Sequence, residues 1–142
     1  MRLIVDANIL VAELLRKRGR LLFKDKRTEL FIAESVMDEA SYELGKRVDL
    51  ISEHSGAPED QLEAFLKIAF DTVKENIHQV ALSEYQGFER EALWRIPRDP
   101  DDWHTVALAL ALQADIWTQD KDFLGCGVAT WTTETLQAKL ES

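Results

Sequence analysis

Residues 3–10 of the chain have the sequence LIVDANIL, and this short segment indicates the fold. The apolar run at residues 3–5 predicts a buried strand, and Asp6 follows that strand directly. Asn8 is a residue type that caps helices, so a helix is expected to follow it. A strand that leads at once into a helix is typical of a parallel sheet covered by helices. The segment therefore predicts an α/β fold with an acidic residue at the end of its first strand.

The same alternation of short apolar runs and longer helical patterns continues along the chain. Further strands are predicted at residues 30–33, 79–82, 114–118 and 128–131. Helices are predicted from Val36, after Glu59, over residues 84–94, from Pro100 to Leu112 and over residues 132–140, with a helix-to-helix connection at residues 49–58. We therefore expect one domain over residues 1–142, a three-layer α/β/α fold with a central parallel sheet of four to five strands.

The composition of the 142-residue chain argues against several classes of protein. With 17 Lys and Arg against 26 Asp and Glu, the formal charge of −9 argues against binding nucleic acid by overall charge. Cys126 is the only cysteine, which excludes an internal disulfide and a cysteine-rich zinc site. No apolar run reaches the roughly 18 residues that a membrane span needs, and the N-terminus lacks a signal-peptide pattern. A cytoplasmic protein without membrane association is expected.

The basic residues are distributed unevenly along the chain. Seven of the 17 lie within residues 16–27, which we call the basic segment. This segment is either a solvated helix face and loop, or a local patch that faces phosphate on an otherwise acidic protein. The sequence leaves both interpretations open.

Carboxylates from four separate segments are predicted to meet at one edge of the sheet. Asp6 follows the first strand, and both Asp120 and Asp122 lie in the loop after the fourth. Glu39 lies one turn into the helix after the second strand, and Asp102 lies in the first turn of the helix before the fourth. Ligands of open parallel sheets bind beyond the carboxyl ends of the strands, so these acids are candidates for one site.

Each acid alone has an ordinary explanation, such as a turn or a helix start. Together, however, these carboxylates need positive charge nearby. Asp102 shares a helical face with Val106 and Ala109, and an unpaired carboxylate away from water is costly. Lys121 is the only basic residue next to these acids in the sequence. Carboxylate oxygens select hard ions such as Mg²⁺, and one or two such ions promote hydrolysis of phosphodiesters. The sequence therefore predicts a divalent-cation site with nuclease chemistry.

Four blocks of sequence, in this order and spacing, resemble the PIN-domain nucleases and, among them, the bacterial toxin-like (VapC-type) branch. The blocks are LIVDANIL at residues 3–10, ESVMDEASYEL at 34–44, RDPDDWHTVALALAL at 98–112 and IWTQDKDF at 116–123. The resemblance covers essentially the whole chain. It implies a ribonuclease that depends on Mg²⁺ or Mn²⁺ and acts on RNA rather than DNA.

The resemblance also assigns site residues. The four acids of the family correspond to Asp6, Glu39, Asp102 and Asp120, with Asp122 at the position of a common fifth acid. Asn8 and Thr118 are at positions where the family has polar residues that support the acids. Two alternatives stay open: Glu43 could substitute for Glu39, and Asp99 lies close to Asp102, although Asp99 is better explained as a helix cap.

The sequence also bears on the partners of the protein and on alternative functions. The resemblance implies a small antitoxin protein and a homodimer as partners besides the RNA substrate. One alternative is a degenerate PIN-like module that only binds a partner. A Mg²⁺-dependent phosphatase with Asp6 as its nucleophile is a weaker alternative, because that chemistry favours a second Asp where this chain has Asn8.

Overall fold

The computed structural model describes residues 1–142, and its centre is a five-stranded sheet. The strands are β1 (Arg2–Val5), β2 (Glu29–Ala33), β3 (Ile77–Val80), β4 (Asp115–Trp117) and β5 (Thr130–Trp131). They lie side by side in the order β3-β2-β1-β4-β5, and every neighbouring pair is parallel. The predicted parallel sheet is confirmed.

Seven α-helices cover the sheet. They are α1 (Ala7–Leu14), α2 (Lys17–Phe23), α3 (Glu34–Ser55), α4 (Glu59–Asn76), α5 (Glu89–Arg95), α6 (Trp103–Leu112) and α7 (Thr133–Glu141). The chain runs outward from β1 to β3 through α1–α4 and returns across the sheet to β4 through α5 and α6. Because crossovers between parallel strands are right-handed, the two sets of helices lie on opposite faces. This is the expected α/β/α arrangement.

The core is one cluster of 35 buried residues, and the contact between β1 and α6 is part of it. Leu3, Ile4 and Val5 of β1 are fully buried, as expected for a central strand covered on both faces. In α6 the five consecutive residues 105–109 are all buried, which explains why this helix is apolar around most of its circumference. The centre of the sheet is therefore a rigid support for the loops at its carboxyl edge.

Several predicted boundaries in the first half of the chain are wrong. The helix α3 begins at Glu34, two residues before the expected start near Val36, and has no side-chain cap. It also continues through most of the predicted connection at residues 49–58 and ends at Ser55. Gly56 then adopts a left-handed conformation with φ of 66°, which stops the helix without strain because glycine has no Cβ. Ser52 lies within the helix, and Ser55 is its last residue.

The boundaries in the second half differ for related reasons. The strand β3 lies two residues earlier than predicted. Residues 84–94 are not one helix, because the short 3₁₀ turns Leu82–Glu84 and Gln86–Phe88 precede α5. A third 3₁₀ turn, Pro100–Asp102, stands before α6 in place of its expected first α-helical turn. Proline fixes the backbone angle for either kind of turn, so the sequence does not separate them.

Three of the seven basic side chains in the basic segment form ion pairs with nearby acids. Arg18 and Arg16 lie 3.2 and 3.7 Å from the carboxylate of Glu13, and Arg27 lies 2.7 Å from that of Asp25. These ion pairs favour the interpretation as a solvated surface over that of a phosphate-facing patch. None of the seven helices has both the length and the apolar character needed to cross a membrane.

Candidate metal centre at the carboxyl edge of the sheet

The acidic residues gather where the strand order reverses. From β1 the chain moves to β2 and β3 on one side of the sheet and then crosses to β4 on the other. Such a reversal leaves a crevice beyond the strand ends, which is the usual ligand position in open α/β sheets. Asp6 follows β1 directly, and Asp120 lies three residues after the end of β4. The two central strands therefore deliver one carboxylate each to the same crevice.

The side chain of Thr118 connects these two acids. Its hydroxyl donates a hydrogen bond of 2.8 Å to Asp6 Oδ2 and accepts one of 2.9 Å from the backbone N–H of Asp120. Thr118 is 3% exposed, so both hydrogen bonds are shielded from water. Asp120 Oδ1 in turn accepts a 2.9 Å hydrogen bond from the backbone N–H of Asp122. The positions of Asp6 and Asp120 are thus fixed relative to each other.

A third segment, before α6, adds two more carboxylates. Asp99 and Asp102 flank the turn that leads into α6, and one carboxylate oxygen from each lies within 4.8 Å of one from Asp120. All three side chains are half-buried. This spacing is close enough for the three acids to share a bound cation.

The fourth segment is the start of α3, which lines a cavity of about 280 Å³ together with Asp6 and Asp102. The cavity wall includes the carboxylates of Asp6, Glu39, Asp101 and Asp102, and Val36 is its only apolar residue. Glu39 is exposed at this wall. The structure therefore brings all four segments of the predicted site together.

The acids of this site oppose one another's ionisation. Burial raises the pKa of Asp6 from 3.8 to about 6, although the Thr118 hydrogen bond acts in the opposite direction, and the charges of Asp120 and Glu39 raise it further. Burial, together with the charges of Asp6 and Asp99, raises the pKa of Asp102 to about 8. None of these acids belongs to any of the ion pairs of the chain.

These residues fit a divalent cation. A cluster of carboxylates that lacks Lys or Arg partners leaves negative charge for a cation to neutralise. The donor atoms of the cluster are oxygens only, which suits hard ions such as Mg²⁺ and Mn²⁺ rather than zinc or copper. A bound cation would lower the pKa of Asp6 and Asp102 and so favour their charged forms.

The structure distinguishes between Glu39 and Glu43, the alternatives on α3. Glu39 lines the cavity with Asp6 and contributes to the raised pKa of that residue. Glu43 lies one turn further along the helix, where its carboxylate is 3.8 Å from Lys46 Nζ. Glu39 is therefore the acid that this helix brings to the site.

Three other predicted residues have different positions from those expected. Asp99 makes no capping hydrogen bond, and its carboxylate joins the acidic cluster, so its interpretation as a helix cap is wrong. Asn8 does not cap α1 either, because that helix begins at Ala7 and Asp6 occupies the cap position. Asn8 is exposed and makes no side-chain hydrogen bond in the chain, which leaves its expected supporting role without a contact. Asp122 contributes its backbone N–H, but its carboxylate is not among the three that lie within 4.8 Å.

Sequence analysis did not assign several residues of the cavity wall. Asp101, Ser35 and His104 line the cavity, and the buried Tyr85 lies 2.7 Å from the His104 ring. Asp101 belongs to the same acidic run as Asp102, which is a signal in the sequence. The contact between Tyr85 and His104 joins residues 19 positions apart and has no signal in the sequence.

Comparison with known proteins identifies the family. A family sequence model described as PIN domain matches residues 4–141. The chain belongs to the PIN-domain family. PIN domains as a family are nucleases, and the acidic cluster of this PIN domain is consistent with that chemistry. No curated protein sequence matches the chain significantly.

Solved structures show the same fold at low sequence identity. The crystal structure of PAE2754 from Pyrobaculum aerophilum is 19% identical, with a TM-score of 0.63 over 99% of this chain and 90% of that one. A toxin–antitoxin complex from Klebsiella pneumoniae is 15% identical, with a TM-score of 0.63 over 92% and 96%. VapBC2 from Rickettsia felis, bound to a DNA fragment from its promoter, is 16% identical, with a TM-score of 0.62 over 93% and 98%. These similarities establish the PIN fold of the chain.

Proposed function

We propose that this protein is an endoribonuclease that depends on Mg²⁺ or Mn²⁺. The observation that carries the proposal is the group formed by Asp99, Asp102 and Asp120 within 4.8 Å, joined through Thr118 to Asp6. Glu39 lines the same cavity as Asp6 and Asp102. We assign the binding of one or two cations to these five acids, and we retain Asp122 as an outer acid.

The arrangement of the chain's own residues suits hydrolysis of a phosphodiester. Thr118 fixes Asp6 and Asp120, so that two ligands are already in place before a cation or substrate binds. The exposed Glu39 is free to adjust its side chain as the site fills. Divalent cations at such a site supply an activated water and positive charge for the phosphate. In a chain with a charge of −9, that positive charge also offsets repulsion of the RNA backbone.

We also propose that the protein acts as the toxin of a toxin–antitoxin pair. Two of the solved structures that share its fold are described as a toxin–antitoxin complex and as VapBC2 on promoter DNA. The partners proposed for this chain are a small antitoxin protein and a second copy of the chain. The proposed location is the cytoplasm, with residues 1–142 acting as one PIN domain.

The test of the nuclease proposal is a cleavage assay on labelled single-stranded RNA and on DNA of the same sequence. Cleavage of RNA is expected with Mg²⁺ or Mn²⁺, and loss of cleavage is expected in EDTA. The variant Asp120→Asn should be inactive but folded, because its side-chain oxygen still accepts the backbone hydrogen bond from Asp122. Asp49→Asn, at an exposed position of α3, is the matched control.

Three results would contradict the proposal or redirect it. Full cleavage in excess chelator would contradict metal dependence. Cleavage of the DNA alone would contradict the assignment of RNA as substrate. Cation binding without cleavage of either nucleic acid would favour the alternative of a PIN-like binding module.

A further inference from the structure

The imidazole of His104 lies beside the acidic cavity in a defined orientation. His104 is the second residue of α6 and lines the cavity together with Asp6 and Glu39. Its Nδ1 lies 2.7 Å from the hydroxyl oxygen of Tyr85. Its Nε2, on the other side of the ring, has no hydrogen-bond partner in the chain. This nitrogen is accessible to solvent, since the buried atoms without a partner are Glu13 Oε2 and Arg18 Nε. One nitrogen is therefore held by the protein, and the other remains available to a ligand.

Aromatic neighbours hold the ring in place. Trp103 stacks on the imidazole with ring centres 3.9 Å apart and an interplanar angle of 27°. Tyr85 meets the same ring edge-on at 5.7 Å and 77°, and Tyr85 itself is only 1% exposed. Rotation of the imidazole would break the hydrogen bond and both aromatic contacts, so the direction of Nε2 is fixed.

The hydrogen bond between Tyr85 and His104 determines which nitrogen of His104 carries hydrogen. Either the phenol or the neutral imidazole could donate in this contact, and the phenol is the more acidic of the two groups. The phenol then directs its own hydrogen to His104 Nδ1. With Nδ1 accepting, the remaining ring hydrogen is on Nε2. Nε2 is therefore a hydrogen-bond donor.

The cavity otherwise has few donors for a phosphate group. Its carboxylates only accept hydrogen bonds when they are charged, and no Lys or Arg lines it. Besides His104, the side-chain donors of the wall are Ser35, whose exposed hydroxyl is not oriented by a hydrogen bond, and Thr105, which is 2% exposed. The oxygens of a phosphodiester are acceptors and require donors or cations. Within the chain, His104 Nε2 is the donor best placed to meet them.

We propose that His104 is a substrate-binding residue, whose Nε2–H donates a hydrogen bond to a phosphate oxygen of nucleic acid bound in the cavity, and that Tyr85 is the positioning residue that orients it. This inference rests on the proposed function as far as the phosphodiester ligand is concerned. It adds a protein contact to the substrate that is separate from the cations. His104 is a ligand of the substrate in this account and not of the metal.

The test measures binding apart from turnover. Affinity for a labelled single-stranded oligoribonucleotide is measured with Ca²⁺ in place of Mg²⁺, and Mn²⁺ affinity is measured by calorimetry. His104→Phe keeps the aromatic stack but loses the donor, and should weaken RNA binding about tenfold, as expected for one hydrogen bond to a charged oxygen. His104→Gln retains an N–H donor and should recover most of that loss. His54→Gln, on the exposed end of α3, is the control.

Tyr85→Phe tests the positioning role. It should weaken RNA binding about threefold in the wild-type background but have no further effect in His104→Phe, since the tyrosine acts through the imidazole. In the cleavage assay, His104→Phe should raise KM and leave kcat within about threefold, because the contact is present in the bound substrate. Mn²⁺ affinity should be unchanged in all three variants, which also shows that they are folded.

The outcomes separate this inference from the nuclease proposal. Wild-type RNA affinity in His104→Phe would overturn the inference and leave the nuclease proposal standing. Loss of Mn²⁺ affinity in His104→Phe would also overturn it, since the histidine would then be a metal ligand. If the wild-type protein binds RNA but does not cleave it, the nuclease proposal fails and the binding comparison still decides the role of His104. Absence of RNA binding by the wild type would overturn the inference.

Discussion

Replacement of Asp6 by asparagine should stabilise the metal-free protein while it abolishes activity. Asp6 is 5% exposed, and its carboxylate has one side-chain hydrogen bond, which it accepts from Thr118. The asparagine amide has nearly the same shape, and its oxygen accepts the same hydrogen bond. The substitution therefore removes a buried charge and leaves the surrounding contacts in place.

The magnitude follows from the raised pKa of Asp6. In the folded protein this pKa is about 6 against 3.8 for an unperturbed Asp, so between these values the folded state binds more protons than the unfolded state. Stability is then lost as the pH rises through this window, and by pH 8 the loss amounts to about 3 kcal/mol, since each pKa unit corresponds to about 1.36 kcal/mol. Asp6→Asn should recover about 2–3 kcal/mol at pH 8, or roughly 5–10 °C in Tm.

The assay is urea unfolding followed by circular dichroism in EDTA, at pH 8 and at pH 4. The stabilisation should be largest at pH 8 and nearly absent at pH 4, where the carboxyl of folded Asp6 is protonated. Addition of Mn²⁺ should stabilise the wild type and not the variant, because the variant lacks a ligand. Asp49→Asn, which removes an exposed charge, is the control and should change stability little at either pH. The reasoning is refuted if Asp6→Asn is no more stable than the wild type at pH 8, or if its gain is equal at both pH values.

Three further substitutions test other parts of the account. Glu39→Gln should weaken Mn²⁺ binding at least about tenfold in calorimetry, whereas Glu43→Gln should not; equal effects would contradict the assignment of Glu39. Thr118→Val removes the hydroxyl that joins two acids and should cost about 1–3 kcal/mol in urea unfolding, with Thr118→Ser close to wild type; an unchanged midpoint would count against that role. Glu13→Ala removes the buried carboxylate that accepts hydrogen bonds from Arg18 and Thr133 and should cost about 1–2 kcal/mol of unfolding free energy, because the arginine left behind is partly exposed; a variant as stable as the wild type would show that these contacts are solvated.

The positions of the acids could be predicted because they depend on strand ends. A parallel sheet places the carboxyl ends of its strands at one edge, so the apolar runs before Asp6 and Asp120 were enough to bring these residues together. Asp102 was predicted from helix phase relative to the same edge, whereas the choice of Glu39 over Glu43 rested on the family resemblance. The unpaired carboxylates indicated a divalent cation, and the family resemblance at the four sequence blocks then supplied RNA as the substrate class.

The remaining features could not be predicted because the local sequence is compatible with more than one structure. An Asp before Pro100 is equally suited to capping a helix and to facing a cavity, and only the tertiary structure turned Asp99 toward Asp102 and Asp120. The length of α3 was underestimated because Ser52 does not interrupt the helix, and Ser55 accepts a backbone hydrogen bond only beyond the last turn, from the N–H of Ala57. The contact between Tyr85 and His104 arises from the packing of separate elements, which no local pattern specifies.

The most direct test of the metal centre is an anomalous difference map from a crystal soaked in Mn²⁺. The account predicts a peak in direct contact with carboxylate oxygens of Asp102 and Asp120, at roughly 2.0–2.4 Å as is usual for hard divalent cations. In crystals of Asp120→Asn the same peak should be absent or strongly reduced. A well-ordered cluster without a peak, in crystals that bind Mn²⁺ elsewhere on the protein, would contradict the account.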